Sequence, residues 1–572
     1  MEEEKKGKKI TLLGLLAIFL CILIVLAMIY IYLNKYSIKS ENPEPRVVTG
    51  ETTKLNSVNE YALTDNNFSK FDFSFLKFEN KKANKIYSPL SIKYAFKMLE
   101  EATTGEAQNQ IASIVQAYNL TKYKSSQNMA LANSFFIRNS FKNSIKDNYI
   151  SLLKSKYDAD IEFDDFSNAS KINNWVKENT LNLIPELMDD DSVSELDFAL
   201  INALGIDMEW NHKFLVHDYE EDNNIVYMVN YYHEKMPDTP WSFNWMAPEA
   251  VNKKEFYNNQ EISGMEVYAS LNNYDIVKEL GEDKIRETVY NDFKDWALNQ
   301  GKYTEYGGHG DEAFNDDYSE ENIKKVFDGW FDGTSDGPMW SATNISFIDE
   351  LNENKENVNY STDFSIYVDD DVKVFAKDLK EYDGTTLQYV GIMPINEDLD
   401  EYVNKIEYTD ILNLVNNLKE LKRENFKDGY LTYIHGHIPK FSFEYELNLI
   451  DDLKEMGVTD VFEQGKANLT NMTDEKNAYI NTAKHKANIE FTQDGIKAAA
   501  ATFVGGAGAG DWYDYLFDMP TEEIDITFDK PYMFLIRDKE TGETWFVGTV
   551  YEPLKWEEDN TREEFYDWNS NN

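Results

Sequence analysis

The chain is 572 residues long, 42% apolar and 14% aromatic, which exceeds one domain's usual length and can bury a large core. Its 103 acidic against 56 basic side chains leave a net charge of −47. That balance excludes a nucleic-acid partner, because phosphate binding needs concentrated positive charge, and it suits a strongly hydrated extracellular surface. The single cysteine, Cys21, excludes an intrachain disulfide, so stability rests on packing.

Residues 1–9 carry Lys5, Lys6, Lys8 and Lys9, and an uncharged run over residues 10–33 follows them. Twenty-four such residues exceed the roughly 20 that cross a hydrocarbon core as a helix. Lysines on the amino side place that end in the cytoplasm, and Tyr30 and Tyr32 suit the membrane interface. A cleaved signal peptide would have a shorter apolar run with a small-x-small site after it. The expectation is a single uncleaved transmembrane helix in a cell membrane, with the rest of the chain outside. Residues 34–59 are polar, hold Pro43 and Pro45, and read as a flexible spacer. The Lys- and Asn-rich usage points to a bacterium.

The body runs from residue 60. Phe68, Phe71, Phe75 and Phe78 recur at three- and four-residue spacing, one buried face of a helix. Ser88 as cap and Pro89 at the first helical position start a second helix, whose apolar face continues through Tyr94, Ala95, Met98 and Leu99. Ala132–Arg138 reads as a strand and Phe198–Trp210 as a long buried one. Residues 219–362 are dense in acid and in Trp and Tyr (Trp241, Trp245, Trp296, Trp330 and Trp340), and read as a packed insertion, helical over Asp275–Trp296. Within it Asp328-Gly329, Asp332-Gly333 and Asp336-Gly337 repeat every four residues. They read as successive turns or as a calcium loop, although EF-hand spacing is absent. Residues 363–556 hold strands at Val372–Leu379 and Thr385–Pro394 and a closing hairpin, Pro531–Pro553, around Lys539–Gly542; residues 557–572 are a polar tail.

The unusual stretch is Phe491–Gly510, with Gln493-Asp494-Gly495-Ile496-Lys497, four alanines (Ala498, Ala499, Ala500 and Ala501) and a glycine-rich end. Alone it also reads as an Ala/Gly linker or a helix start. Small side chains and the freedom of Gly495 allow it to be exposed in one state and inserted as a sheet strand in another. It resembles the reactive-centre loop (491–520) of a serpin. The inhibitory hinge there is an acidic pair, glycine, a small hydroxyl residue and alanines; Gln493 and Ile496 depart from it. Further resemblance lies in Asn84–Ile92, in Ile172–Leu187 (the helix crossing the front of the main sheet), in His437–Ser442, Leu453–Phe462 and Ala483–Asp494, and in the Trp210-x-x-x-Phe214 ending.

The resemblance implies an α+β serpin-like fold: a large central mixed β-sheet, further sheets and surrounding helices, carrying the α-rich insertion. It implies an inhibitor consumed as a suicide substrate, with no catalytic group, cofactor or metal of its own. No Ser/His/Asp or Cys/His arrangement argues otherwise. It places Ser88, Ser91, Asn202 and His485 in a polar cluster where the sheet opens, and Trp210, Lys440 and Gln493 in a latch at its top, where the family's Lys–Glu ion pair becomes a weaker bond between Lys440 and Gln493. Family spacing puts the cleaved bond at Ala509-Gly510, whose small residues suit elastase-like or subtilisin-like serine proteases. The loop is longer than the family's, so cleavage within Trp512–Met519, by chymotrypsin-like proteases, stays open, as does a cysteine protease target. A non-inhibitory binding protein or adhesin, using the insertion on a partner the sequence does not name, is the other reading.

Overall fold

The computed structural model describes residues 59–65, 67–79, 81–123, 125–212, 214, 253–274, 276–299, 314–315, 317–331, 358–360, 364–496 and 520–556. The expected anchor, spacer, polar tail and most of the reactive loop, with Ala498–Ala501, Ala509 and Gly510, lie outside these residues. Among the described residues no helix is long and apolar enough to cross a membrane.

In chain order the strands are β1 (Lys85–Tyr87), β2 (Met129–Arg138), β3 (Ala159–Asp164), β4 (Phe198–Ile206), β5 (Met208–Glu209), β6 (Lys253–Tyr257), β7 (Gln260–Asn272), β8 (Val358–Tyr360), β9 (Ser365–Val368), β10 (Val372–Asp378), β11 (Leu387–Pro394), β12 (Lys419–Glu420), β13 (Leu431–Pro439), β14 (Phe441–Asn448), β15 (Lys484–Phe491), β16 (Gly495–Ile496), β17 (Thr521–Asp525), β18 (Tyr532–Asp538) and β19 (Thr544–Val550). The helices used below are α1 (Lys70–Phe78), α2 (Pro89–Ala102), α3 (Ser170–Glu178), α4 (Ile276–Leu280), α5 (Glu282–Asn299) and α6 (Glu320–Phe331).

The phenylalanine spacing does produce α1, with Phe71 and Phe75 fully buried. Ser88 caps α2, its Oγ accepting from the Ser91 N–H at 3.1 Å, with Pro89 next in line. Both helices pack against an antiparallel sheet ordered β1-β19-β18-β11-β10-β9-β12, whose central strands are buried along their length.

The front of the molecule is a mixed sheet in two hydrogen-bonded parts. One is β3-β2-β4, with β2 and β3 parallel; the other is β14-β15-β16-β5. Chain continuity from β4 into β5 makes them one surface. The segment expected as a helix over Ile172–Leu187 is helical only as α3, to Glu178. Leu181 and Asn182 then take positive φ (55° and 63°), which ends the helix, while Ile184 and Leu187 still bury in the same small core as Ile172 and Val176.

Part of the stretch expected as an insertion is sheet. Residues 253–272, assigned to it above, form β6 and β7, which join β13 and β17 in the order β17-β13-β7-β6, and β8 also pairs with β7. The β6–β7 turn is Asn258-Asn259, both with positive φ (49° and 64°), the conformation a two-residue hairpin demands. That dipeptide was a legible hairpin signal; irregular side-chain alternation around it was not. Beyond Asn272 come α4, α5 and α6, so the expected helix over Asp275–Trp296 is present but broken at Gly281 (φ 79°). These helices hold a core of their own: Tyr274, Ile285, Val289, Phe293, Phe314, Ile323 and Phe327, with Leu431 of β13. Among the described residues no cluster of three or more His, Cys, Asp or Glu could hold a metal ion; Asp332 and Asp336 lie outside them. Asp328 is bound by Arg286 and Lys324, each at 3.0 Å.

Candidate functional site

β15 rises to Phe491, turns through Thr492–Asp494, and returns as β16. Thr492 N–H donates to Gly495 O at 3.1 Å to close the turn. Ile496 then pairs with Phe491 on one side and Met208 on the other, and Gly495 with Glu209. Gly495 and Ile496 therefore stand as a strand between β15 and β5, pointing into the sheet. Below them β15 is paired along its outer edge with β14, and β4 along its outer edge with β2. Among the described residues no ladder joins β15 to β4. The inner edges of two strands thus face each other beneath a seated hinge, with room in the hydrogen-bonding pattern for one more strand.

Only glycine fits at position 495. A Cβ there would lie 2.2 Å from Met208 O and 2.7 Å from Glu209 Cα, both backbone atoms. Above it the hinge is held by an aromatic plug. Trp210, fully buried, donates Nε1–H to Thr492 O at 2.8 Å and its backbone N–H to Asp494 O at 3.0 Å. Phe491 lies edge-on to Trp210 (5.3 Å) and stacked on Phe441 (4.8 Å, 5°). Phe214 N–H donates to Gln493 O at 3.2 Å.

Trp210, Lys440 and Gln493 thus lie around the turn. A charged group that acts on Lys440 is Asp494, beside the neutral Gln493. Burial pushes the Lys440 ammonium down to about 8, and the Asp494 carboxylate opposes that shift. The Gln493 amide instead donates to Asp494 Oδ2 at 2.9 Å. A carboxylate thus lies in the electrostatic neighbourhood of Lys440, one residue along from Gln493.

The polar cluster is also assembled, in two halves across the gap. On one side the Ser88 N–H donates to His485 Nε2 at 2.9 Å; on the other the Ser91 hydroxyl donates to Asn202 Oδ1. Sequence reasoning missed Asn133. Its Oδ1 accepts from Asn202 Nδ2 at 2.8 Å and its Nδ2 donates to Tyr157 O at 2.8 Å. Asn133 and Asn202 are register partners on β2 and β4, which only the strand alignment reveals.

Burial lowers the His485 pKa to about 4, so the ring is neutral and accepts through Nε2. A depressed histidine pKa supplies stability above the unfolded value near 6.5 that is lost as pH falls through about 4. The difference corresponds to on the order of 3 kcal/mol. Urea midpoints measured from pH 7 to 4 are therefore expected to fall more steeply for the natural protein than for His485→Gln. Parallel pH profiles would refute the buried, neutral assignment.

Comparison with known proteins gives the same architecture. A family profile described as Serpin (serine protease inhibitor) matches residues 64–226 and 347–553, on either side of the helical insertion. Rat serpin B10 is 37% identical over 117 residues, 20% of this chain and 27% of that protein. Mouse leukocyte elastase inhibitor A is 32% identical over 173 residues, 30% of this chain and 42% of that protein. The chain thus aligns with less than half the length of these curated relatives. The thermophilic serpin tengpin in its native state superposes with a TM-score of 0.51 at 17% identity, covering 88% of this chain and 96% of that one, which speaks to the fold alone. The family is described as one of inhibitors rather than enzymes, and with its profile matched over most of the chain's length, this protein belongs to the serpin family.

Proposed function

We propose that the protein inhibits a serine-type protease as a consumed substrate, held outside the cell by the apolar segment at residues 10–33. The observation that carries this reading is β16, the hinge residues Gly495 and Ile496 seated between β15 and β5 above strands whose inner edges no ladder joins among the described residues. A protease serine attacks a carbonyl of the loop. The peptide C–N bond breaks, the amine departs as a new chain end, and the acyl group stays on the enzyme as an ester. The loop segment attached to Gly495 is then free to follow β16 between β15 and β4. Each residue entering exchanges solvent contacts for ladder hydrogen bonds and buried area. Insertion carries the acylated protease away from its starting position before water reaches the ester. Small alanines at 498–501 suit this step, since they enter a packed sheet without overfilling it.

The name of the mouse relative and the small residues at Ala509-Gly510 favour an elastase-like target; subtilisin-like and chymotrypsin-like enzymes are the next to try. Full-length protein mixed with each class should yield a covalent complex on denaturing gels, and mass spectrometry of the released peptide should place the bond. Clean loop cleavage by every protease, without any complex, would overturn the reading.

A further inference from the structure

We propose that the helical insertion is a clamp on β17, the strand that anchors the C-terminal end of the reactive loop. The loop re-enters the described structure at Pro520, and β17 follows at once. β17 is a weak element by itself: five residues, paired among the described residues with one parallel neighbour, with side chains that alternate between exposed and half-buried. Its neighbour is β13. Leu431 N–H donates to Pro520 O at 2.9 Å, and Thr432 Oγ1 to Glu522 Oε2 at 3.1 Å.

The same end of β13 is where the insertion sits. Successive strand residues face opposite sides, and Ile434 turns into the main core. Leu431 and Tyr433 face the other way, and there they join the insertion's cluster with Phe293 and Phe327. Two positions on, His435 lies on that face with its side chain 49% exposed, so the cover is confined to the end beside Pro520. The insertion is also stitched to the turn that leads into β13. Asn273 N–H donates to Tyr430 O, Gly429 N–H to Asn273 O, and Asn273 Nδ2 to Arg423 O, all at 3.0 Å. Its return strand β8 pairs with β7, which is itself paired to β13. Loosening the insertion would therefore bare Leu431 and Tyr433 and free the strand whose ladder holds β17, leaving the Lys373–Asp525 pair at its far end.

The clamp stands on the described contacts. Its consequence, that an uncut loop is kept from gaining slack at its C-terminal end and entering the sheet unproductively, rests on the inhibitory reading above. The test is amide hydrogen exchange on the full chain, comparing the natural protein with Phe293→Ala, which opens the insertion's core from its α5 side. Exchange at residues 521–525 and 431–435 should quicken at least tenfold, with β18 and β19 unchanged. Faster exchange confined to the insertion's own helices would overturn the proposal. If Phe293→Ala loosens the whole body, Arg286→Ala decides by the same two outcomes: it breaks the surface pair to Asp328 that ties α5 to α6, and a two- to fivefold effect at β17 is expected. A natural protein that traps no protease but whose β17 still responds would keep the clamp and remove the inhibitory reading.

Discussion

Gly495→Val is expected to convert the protein from a trap into an ordinary substrate. The valine Cβ would lie 2.2 Å from Met208 O and 3.0 Å from Met208 C, and backbone on the neighbouring strand cannot swing aside as a side chain can. Either β5 shifts or the hinge leaves the sheet. Leaving surrenders the pairing of Gly495 and Ile496 and uncovers Ile496, which is 1% exposed. Overpacking of this kind costs about 1–3 kcal/mol. If that raises the barrier to strand entry, insertion slows by roughly 5- to 150-fold. Deacylation by water does not slow with it, so the ratio of trapped to cleaved product should fall by a similar factor. Quantitative denaturing gels against an elastase-like protease measure the ratio, and Gly495→Ala should lie between the two. Undiminished trapping by Gly495→Val would mean that the hinge does not pass the Met208–Glu209 backbone as placed.

Lys93→Met is expected to cause the largest loss of stability. Lys93 of α2 and Asp72 of α1 form an ion pair at 2.6 Å with both side chains completely buried, a close charge contact rather than a well-aligned hydrogen bond. Asp72 also accepts from the Ser69 N–H (2.9 Å) and hydroxyl (2.8 Å), which caps α1. Glu543 adds a second buried carboxylate; burial raises its pKa, and the nearby Lys93 charge opposes that rise. Its oxygens accept from the Tyr118 and Tyr123 hydroxyls at 2.6 and 2.7 Å. Removing this cation leaves Asp72 and Glu543 buried without its compensating charge, and breaking such a pair costs about 3–5 kcal/mol. Urea denaturation should show that loss, and adding Glu543→Gln should recover part of it, since one uncompensated charge is then gone. A loss under about 1 kcal/mol, or no recovery in the double variant, would mean that Lys93 does not balance both carboxylates.

How much of this was legible beforehand follows the range of the interactions. The phenylalanine face of α1, the Ser88-Pro89 start of α2 and the closing hairpin β18–β19 depend on neighbours within a few residues, and local spacing and turn chemistry determine them. The family resemblance likewise collected Ser88, Ser91, Asn202, His485, Trp210 and Lys440, which the fold places in contacts at the front sheet and at the turn after β15. What the sequence alone left undetermined is pairing through space. Residues 253–272 looked like insertion because strand membership is decided by backbone hydrogen bonds to β13, more than 150 residues on, and not by side-chain identity. Asn133 became part of the opening network only through its register with Asn202. Packing alone buries Lys93 and Glu543 near one another, and Asp494 comes into the electrostatic neighbourhood of Lys440 only through the turn after β15. Local sequence determined which elements form and where they start; burial, register and the partnering of charges came only with the tertiary structure, because each depends on groups that meet solely when distant segments exclude water between them.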